Sequence, residues 1–305
     1  MSRDRSDDAS FPAEWRRLLE EQIRLACLLE ATARKPGNVH PGASFADLSH
    51  HDLVLAAEII APVLAATERR GVGPCVLDAV TRTQGALKNN ANLGIILLLA
   101  PLAAVAPEDT LSAGIPTVLA ALDQSDAVLV YRAINLANPA GMGTVSDQDL
   151  SQEPDVTLLE AMRLAEKRDA VAAEYVHHFN LVLNFGVPIL AQCEDFQNEW
   201  ETAIVELQLK LLAHQPDTLI ARKCGTATAQ EAATLAQRVL QAGWPRTPAG
   251  HEQLQQFDRW LRDGGHRRNP GTTADLVAAC LFAGLRDGHI LPPESVGSPG
   301  TDADP

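Results

Sequence analysis

The sequence predicts an all-α protein, a single large multi-helix domain of about a dozen helices, and three observations carry that reading. Apolar residues recur at helical spacing along most of the chain, and no stretch of any length alternates with the period of a strand. Hydrophobic residues make up 46% of the 305 while aromatics reach only 4%, so Ala and Leu supply the bulk, which suits close helix-on-helix packing. The run from Leu93 to Ala106 is 14 residues long and holds Pro101, too short and too broken for a membrane span of about 20 residues. It reads as a helix buried on all sides.

In chain order, residues 1–11 are polar and charged and read as a disordered N-terminus, 12–290 as the helical domain, and 291–305 as a disordered tail rich in Pro, Gly, Ser and Asp. Leu18, Leu19, Ile23, Ala26, Cys27 and Leu29 mark a first helix that ends at Lys35-Pro36-Gly37-Asn38-Val39-His40-Pro41-Gly42, since two prolines and two glycines cannot continue it. Lys35 and Asn38 in this loop suit a phosphate or a sugar. A second helix starts near Asp47 or Ser49, with Asp52 in its first turn. A third runs from Cys75 to about Ala86 and delivers the chain to Lys88-Asn89-Asn90-Ala91-Asn92, a polar cluster opening into the Leu93 helix. Free backbone N–H groups, Asn amides and Lys88 at that junction favour an anion such as a phosphate; the plainer reading is a helix cap.

Glu108–Leu122, divided by Gly114 and Pro116, and Asp126–Leu136 read as further helices. The Gly141-Met142-Gly143 turn follows a helical pattern rather than a strand, so a dinucleotide fingerprint is not supported. Helical periodicity resumes at Val156–Lys167, Val171–Leu183 and, after Gly186-Val187-Pro188, up to Cys193. His177 and His178 point about 100° apart on a helix and make a poor metal pair. Phe196–Ala213 leads to Asp217, with Arg222 and Lys223 five and six residues on around a short apolar core. Thr226–Ala242 and His251–Asp263 follow. The last helix, Val277–Leu285, grows from Asn269-Pro270-Gly271-Thr272-Thr273-Ala274-Asp275, where Thr272 or Thr273 suits an N-cap and Asp275 suits the dipole.

The formal net charge of −14 argues against nonspecific nucleic-acid binding and against docking on an anionic membrane. Five scattered cysteines without a C-x-x-C pair read as reduced thiols, and the Ser/Asp/Arg-rich start lacks an apolar signal core, so a cytosolic protein is expected.

Four loop-to-helix junctions, Lys35–Pro41, Asn89–Gly94, Asp217–Lys223 and Asn269–Asp275, stand in an order that resembles the triphosphoribosyl-dephospho-coenzyme A synthase family over roughly residues 20–288. The chain departs from members serving citrate lyase or malonate decarboxylase, which tend to carry a histidine and lysine where this one has Ala91-Asn92-Leu93-Gly94; this marks a divergent branch. The resemblance implies an all-helical enzyme that moves the 5-triphosphoribosyl unit of ATP onto dephospho-coenzyme A and releases adenine, with ATP as substrate and Mg²⁺ on its phosphates. It implies Asp217, Asp47 and Asp275 as catalytic carboxylates, the first two as tentative Mg²⁺ ligands. It also implies Lys35, Gly37, Asn38, Lys88, Asn89, Asn90, Asn92, Arg222, Lys223, Asn269, Gly271 and Thr272 as phosphate- or sugar-binding residues. Breaking the glycosidic bond develops oxocarbenium character, so a carboxylate near the ribose C1 is stabilising, and the incoming hydroxyl needs a base. Which aspartate does which is open at this point. So are a related transferase with another acceptor in one-carbon cofactor synthesis, a noncatalytic nucleotide-binding protein, and homo-oligomerisation.

Overall fold

The computed structural model describes residues 12–87, 92–138 and 154–296. Lys88, Asn89, Asn90, the Gly141-Met142-Gly143 turn, and the outermost ends expected to be disordered lie outside the described residues. Among the described residues every regular element is helical, fifteen α-helices and one π-helical turn, with an isolated bridge between His40 and Ala43. The count exceeds a dozen because short turns such as α3 (Thr67–Arg70) and α10 (Val187–Ala191) stand as separate helices.

Most boundaries have local causes. α1 (Ala13–Thr32) stops at the Lys-Pro-Gly loop, and α2 (His50–Leu64) starts on a reciprocal Ser49/Asp52 capping box. α4 (Val72–Leu87) leads toward α5 (Leu93–Ala103). α6 (Leu111–Ala120) is continuous rather than divided at Gly114: the missing side chain there lets Val105 pack against the helix. α7 (Gln124–Ala137) and α8 (Leu158–Ala165) each carry a capping box, from Asp123/Asp126 and Thr157/Glu160. No single helix among the described residues is long and apolar enough to cross a membrane.

The expected helix Val171–Leu183 is broken. α9 (Ala170–Val176) ends, His178 and Phe179 take positive φ of 52° and 58°, and a π-helical turn over Val182–Gly186 leads into α10. The break is held by side chains within the segment itself. The buried Glu174 carboxylate accepts the N–H groups of Leu181 and Val182 at 3.3 and 3.0 Å, and Phe179 is buried against Tyr175. Burial pushes Glu174 up to about 7.

Two apolar clusters form the core. The larger is built from α1 to α11 and α15 (Gly271–Arg286), the smaller from α11 (Phe196–His214), α12 (Thr218–Cys224), α13 (Thr226–Gln241) and α14 (Pro248–Arg262). α11 serves both, giving Ile204, Leu207 and Leu211 to one and Val205, Leu209 and Leu212 to the other. α15 runs through the centre, and only its Gly271 and Asp275 escape full burial. Residues 291–296, expected in the tail, lie on the fold: Gln197 donates to the Pro292 carbonyl at 3.0 Å and Val296 packs on the larger cluster.

Candidate active site

In α5, only Gly94 escapes full burial, and Gly94 meets Asp275: a methyl group added at Gly94 would collide with the Asp275 carboxylate. The one accessible spot on α5 therefore coincides with one of the two on α15. Asp275 keeps surface accessible while protein surrounds it closely. Burial, and next the negative charges of Glu30, Asp217 and Asp169, push its carboxyl well above the ordinary carboxylate range, with Arg222 opposing. Among the described residues no side-chain hydrogen bond engages it. Gly94→Ala is expected to displace that carboxylate, and a misplacement on the ångström scale would slow a reaction that uses it roughly 10- to 100-fold; unchanged turnover in a steady-state assay would remove Asp275 from the chemistry.

Asp217 has a different position. It caps α12, its Oδ1 accepting the Ile220 N–H at 2.9 Å, while its Oδ2 accepts both the N–H and the hydroxyl of Thr273 at 2.8 Å. It is 2% exposed, so these groups, not a ligand, occupy its oxygens. This corrects the N-cap expectation for the last helix. α15 begins at Gly271, Thr272 and Thr273 already lie in its first turn, and Asp217 receives the orphan N–H across the junction. The Thr218 hydroxyl donates to Thr272 at 3.2 Å and accepts the Ala170 N–H at 3.4 Å, drawing the starts of α9, α12 and α15 together. Arg222 does not hold Asp217 ionised: it pairs with Asp169 at 2.7 Å, and burial pushes Asp217 up against the pull of its hydrogen bonds.

The first loop is also knitted inward. Lys35 is completely buried, its ammonium paired with the Glu30 carboxylate at 3.0 Å and bonded to the Glu30 carbonyl. Gly37, with φ of 76°, donates to Asp258 at 2.8 Å, and a side chain there would strike Leu261 and Pro270. Asn38 and Asn269 do come together, but they bond each other at 2.7 Å, and Gln208 donates to the Asn38 oxygen at 2.6 Å. Gly271 packs against Leu219 with no room for a side chain. Asn92 precedes α5 and is 5% exposed, and its Nδ2 has no partner among the described residues.

Asp47 is placed differently. Its side chain is 67% exposed and 3.8 Å from His266, whereas Asp217 is enclosed, so these two do not converge on one metal. Among the described residues no three His, Cys, Asp or Glu side chains are placed to hold one. Lys223 stands half-buried on the outer turn of α12, its ammonium pulled down by burial.

Sequence reading missed Glu30, Asp169 and Gln208. Glu30 had a signal, since it extends the buried stripe Ile23, Cys27, and a carboxylate on such a stripe needs a partner. Gln208 likewise sits among the apolar residues of α11.

The chain matches the family model described as ATP:dephospho-CoA triphosphoribosyl transferase over residues 16–291. It is similar, 32% identical over 106 residues, to a probable 2-(5''-triphosphoribosyl)-3'-dephosphocoenzyme-A synthase of Pseudomonas syringae pv. tomato; that alignment covers 35% of this chain and 36% of the relative. It thus spans about a third of that relative's length. The fold is similar to the crystal structure of an Archaeoglobus fulgidus protein proposed to be a triphosphoribosyl-dephospho-CoA synthase. The TM-score is 0.60 and the identity 26%, over 77% of this chain and 99% of that one. With 276 of its residues inside the family match and an all-helical fold shared with a solved relative, the chain belongs to the ATP:dephospho-CoA triphosphoribosyl transferase family.

Proposed function

We propose that this protein transfers the 5-triphosphoribosyl group of ATP to dephospho-CoA with release of adenine, and that Asp275 is its general base. The observation that supports this most is the Asp275 carboxylate, desolvated beside Gly94 and unengaged among the described residues, while Asp217 is bonded to backbone and hydroxyl groups. A ribose hydroxyl of dephospho-CoA attacks C1 of the ATP ribose, its proton passes to Asp275, and the C1–N bond breaks with its electron pair leaving on adenine. A raised pKa brings the carboxylate nearer the working pH, where a base is most effective. The same negative charge beside C1 favours the oxocarbenium-like transition state. The Asn92 amide, buried and without a partner among the described residues, is the group here suited to a triphosphate oxygen.

Magnesium enters as the triphosphate's counter-ion. It keeps several waters and takes one or two carboxylates beside phosphate, and the exposed Asp47 carboxylate would serve as one of them. The reading places the protein in the cytosol with its two nucleotide substrates, in keeping with five free cysteines.

The test is incubation with ATP, Mg²⁺ and dephospho-CoA, followed by assay for free adenine. Adenine only in the presence of dephospho-CoA is the expected result. Adenine with a different acceptor only, or tight ATP binding without adenine, would overturn it.

A further inference from the structure

We propose that Lys223 and Arg267, at the exposed end of α12, form the binding site for the diphosphate of the acceptor; this rests on the transfer reaction proposed above. The two cations belong to different segments, yet the fold joins them. The Arg267 guanidinium donates to the Lys223 carbonyl at 3.3 Å, and the Cys224 thiol donates to the Arg267 carbonyl at 3.4 Å. The loop 263–268 is thereby latched onto the end of α12. From the Asp217 cap, which lies within electrostatic reach of Asp275, six residues of helix rise about 9 Å to Lys223.

The other cations of this wall are occupied. Arg222 pairs with Asp169, Arg262 with Asp258, and Arg268 lies over the Trp260 ring at 4.5 Å and against Asp263 at 3.7 Å. Among the described residues neither Lys223 nor Arg267 has a carboxylate in salt-bridge range. Asp47, 3.8 Å from His266, is near enough to favour the Lys223 charge without pairing with it. A half-buried ammonium beside an exposed guanidinium, in a chain of net charge −14, is a local reversal of sign. The plain alternative is that Lys223 only balances the C-terminal dipole of α12. That explains one cation, not an Arg brought from 44 residues away.

Openness selects the acceptor over ATP. Side chains added at Gly264 and Gly265 would meet nothing within 4 Å, and Arg267 is exposed. A terminal triphosphate fits an enclosed end of a pocket. The diphosphate of dephospho-CoA lies mid-molecule, with its pantetheine arm continuing outward, and needs such an open rim. Two cations also match its two charges.

The experiment is steady-state adenine release by the full chain and by Arg267→Ala, Lys223→Ala and the double variant, with Lys210→Ala as a charge control. The expected result is a KM for dephospho-CoA raised at least ~10-fold in the double variant, a scale of one or two lost charge-assisted contacts, with kcat and the KM for ATP within about twofold. A rise in the KM for ATP instead, or in neither, overturns the proposal. If the parent releases no adenine, the transfer reading fails separately. The rim is then tested by calorimetric titration with inorganic pyrophosphate, where loss of at least ~10-fold in affinity in the double variant supports it and equal binding overturns it.

Discussion

Asp275→Asn is expected to reduce adenine release at least ~100-fold, the lower end of what a positioned base contributes, while the protein stays folded. The substitution keeps the shape beside Gly94 and removes the ability to take a proton. The parent's kcat/KM should fall toward low pH with an inflection displaced above the ordinary value of 3.8, because the carboxyl is shifted upward by burial and by Glu30, Asp217 and Asp169. The stability effect has the opposite sign. A carboxyl whose folded pKa is raised stabilises the fold fully below its unfolded pKa, and that contribution is lost as pH rises through the folded pKa. Asparagine never ionises, so at neutral pH the variant should melt no lower than the parent. Near-normal turnover, or an acid limb that persists unchanged in the variant, would take the base elsewhere.

Asp217→Ala is expected to act on the fold first. The side chain caps α12 and also receives two donors of Thr273 in a buried site. Losing a cap costs about 1 kcal/mol, and leaving two buried donors without acceptors adds about 2 kcal/mol or more. A drop of about 5 °C in melting temperature follows for a chain of this size. Asp217→Asn should recover part of this, since one oxygen still caps Ile220, but its amide then faces the Thr273 N–H. If Asp217→Asn melts like the parent yet loses adenine release as heavily as Asp275→Asn, the catalytic assignments of the two residues are reversed.

Much of the fold was legible. Ser49 and Asp52 announced the start of α2, and Gly264-Gly265 the end of α14, because caps and breakers act within a few residues. The Leu93 helix was legible as a fully apolar run. The break after Val176 was not: His177-His178-Phe179-Asn180 contains no Gly or Pro, and the positive φ values are held by Glu174 and the buried Phe179 ring. In the site, the sequence singled out the four junctions, but it did not show that Asp217 bonds Thr273 or that Lys35 pairs with Glu30.

The sequence by itself determined the all-helical class, the order of the helices and which loops carry the polar groups, because i to i+4 bonding and apolar periodicity are local properties. Only the tertiary structure decided which polar groups are left for chemistry. Asp217 is closed off by Thr273, 56 residues along the chain, and Lys35 by Glu30 in a dry interior. Asp275 stays open because Gly94 has no side chain to fill the space before it. A charged group's role depends on who desolvates it and who bonds it, and those partners come from distant turns of the chain.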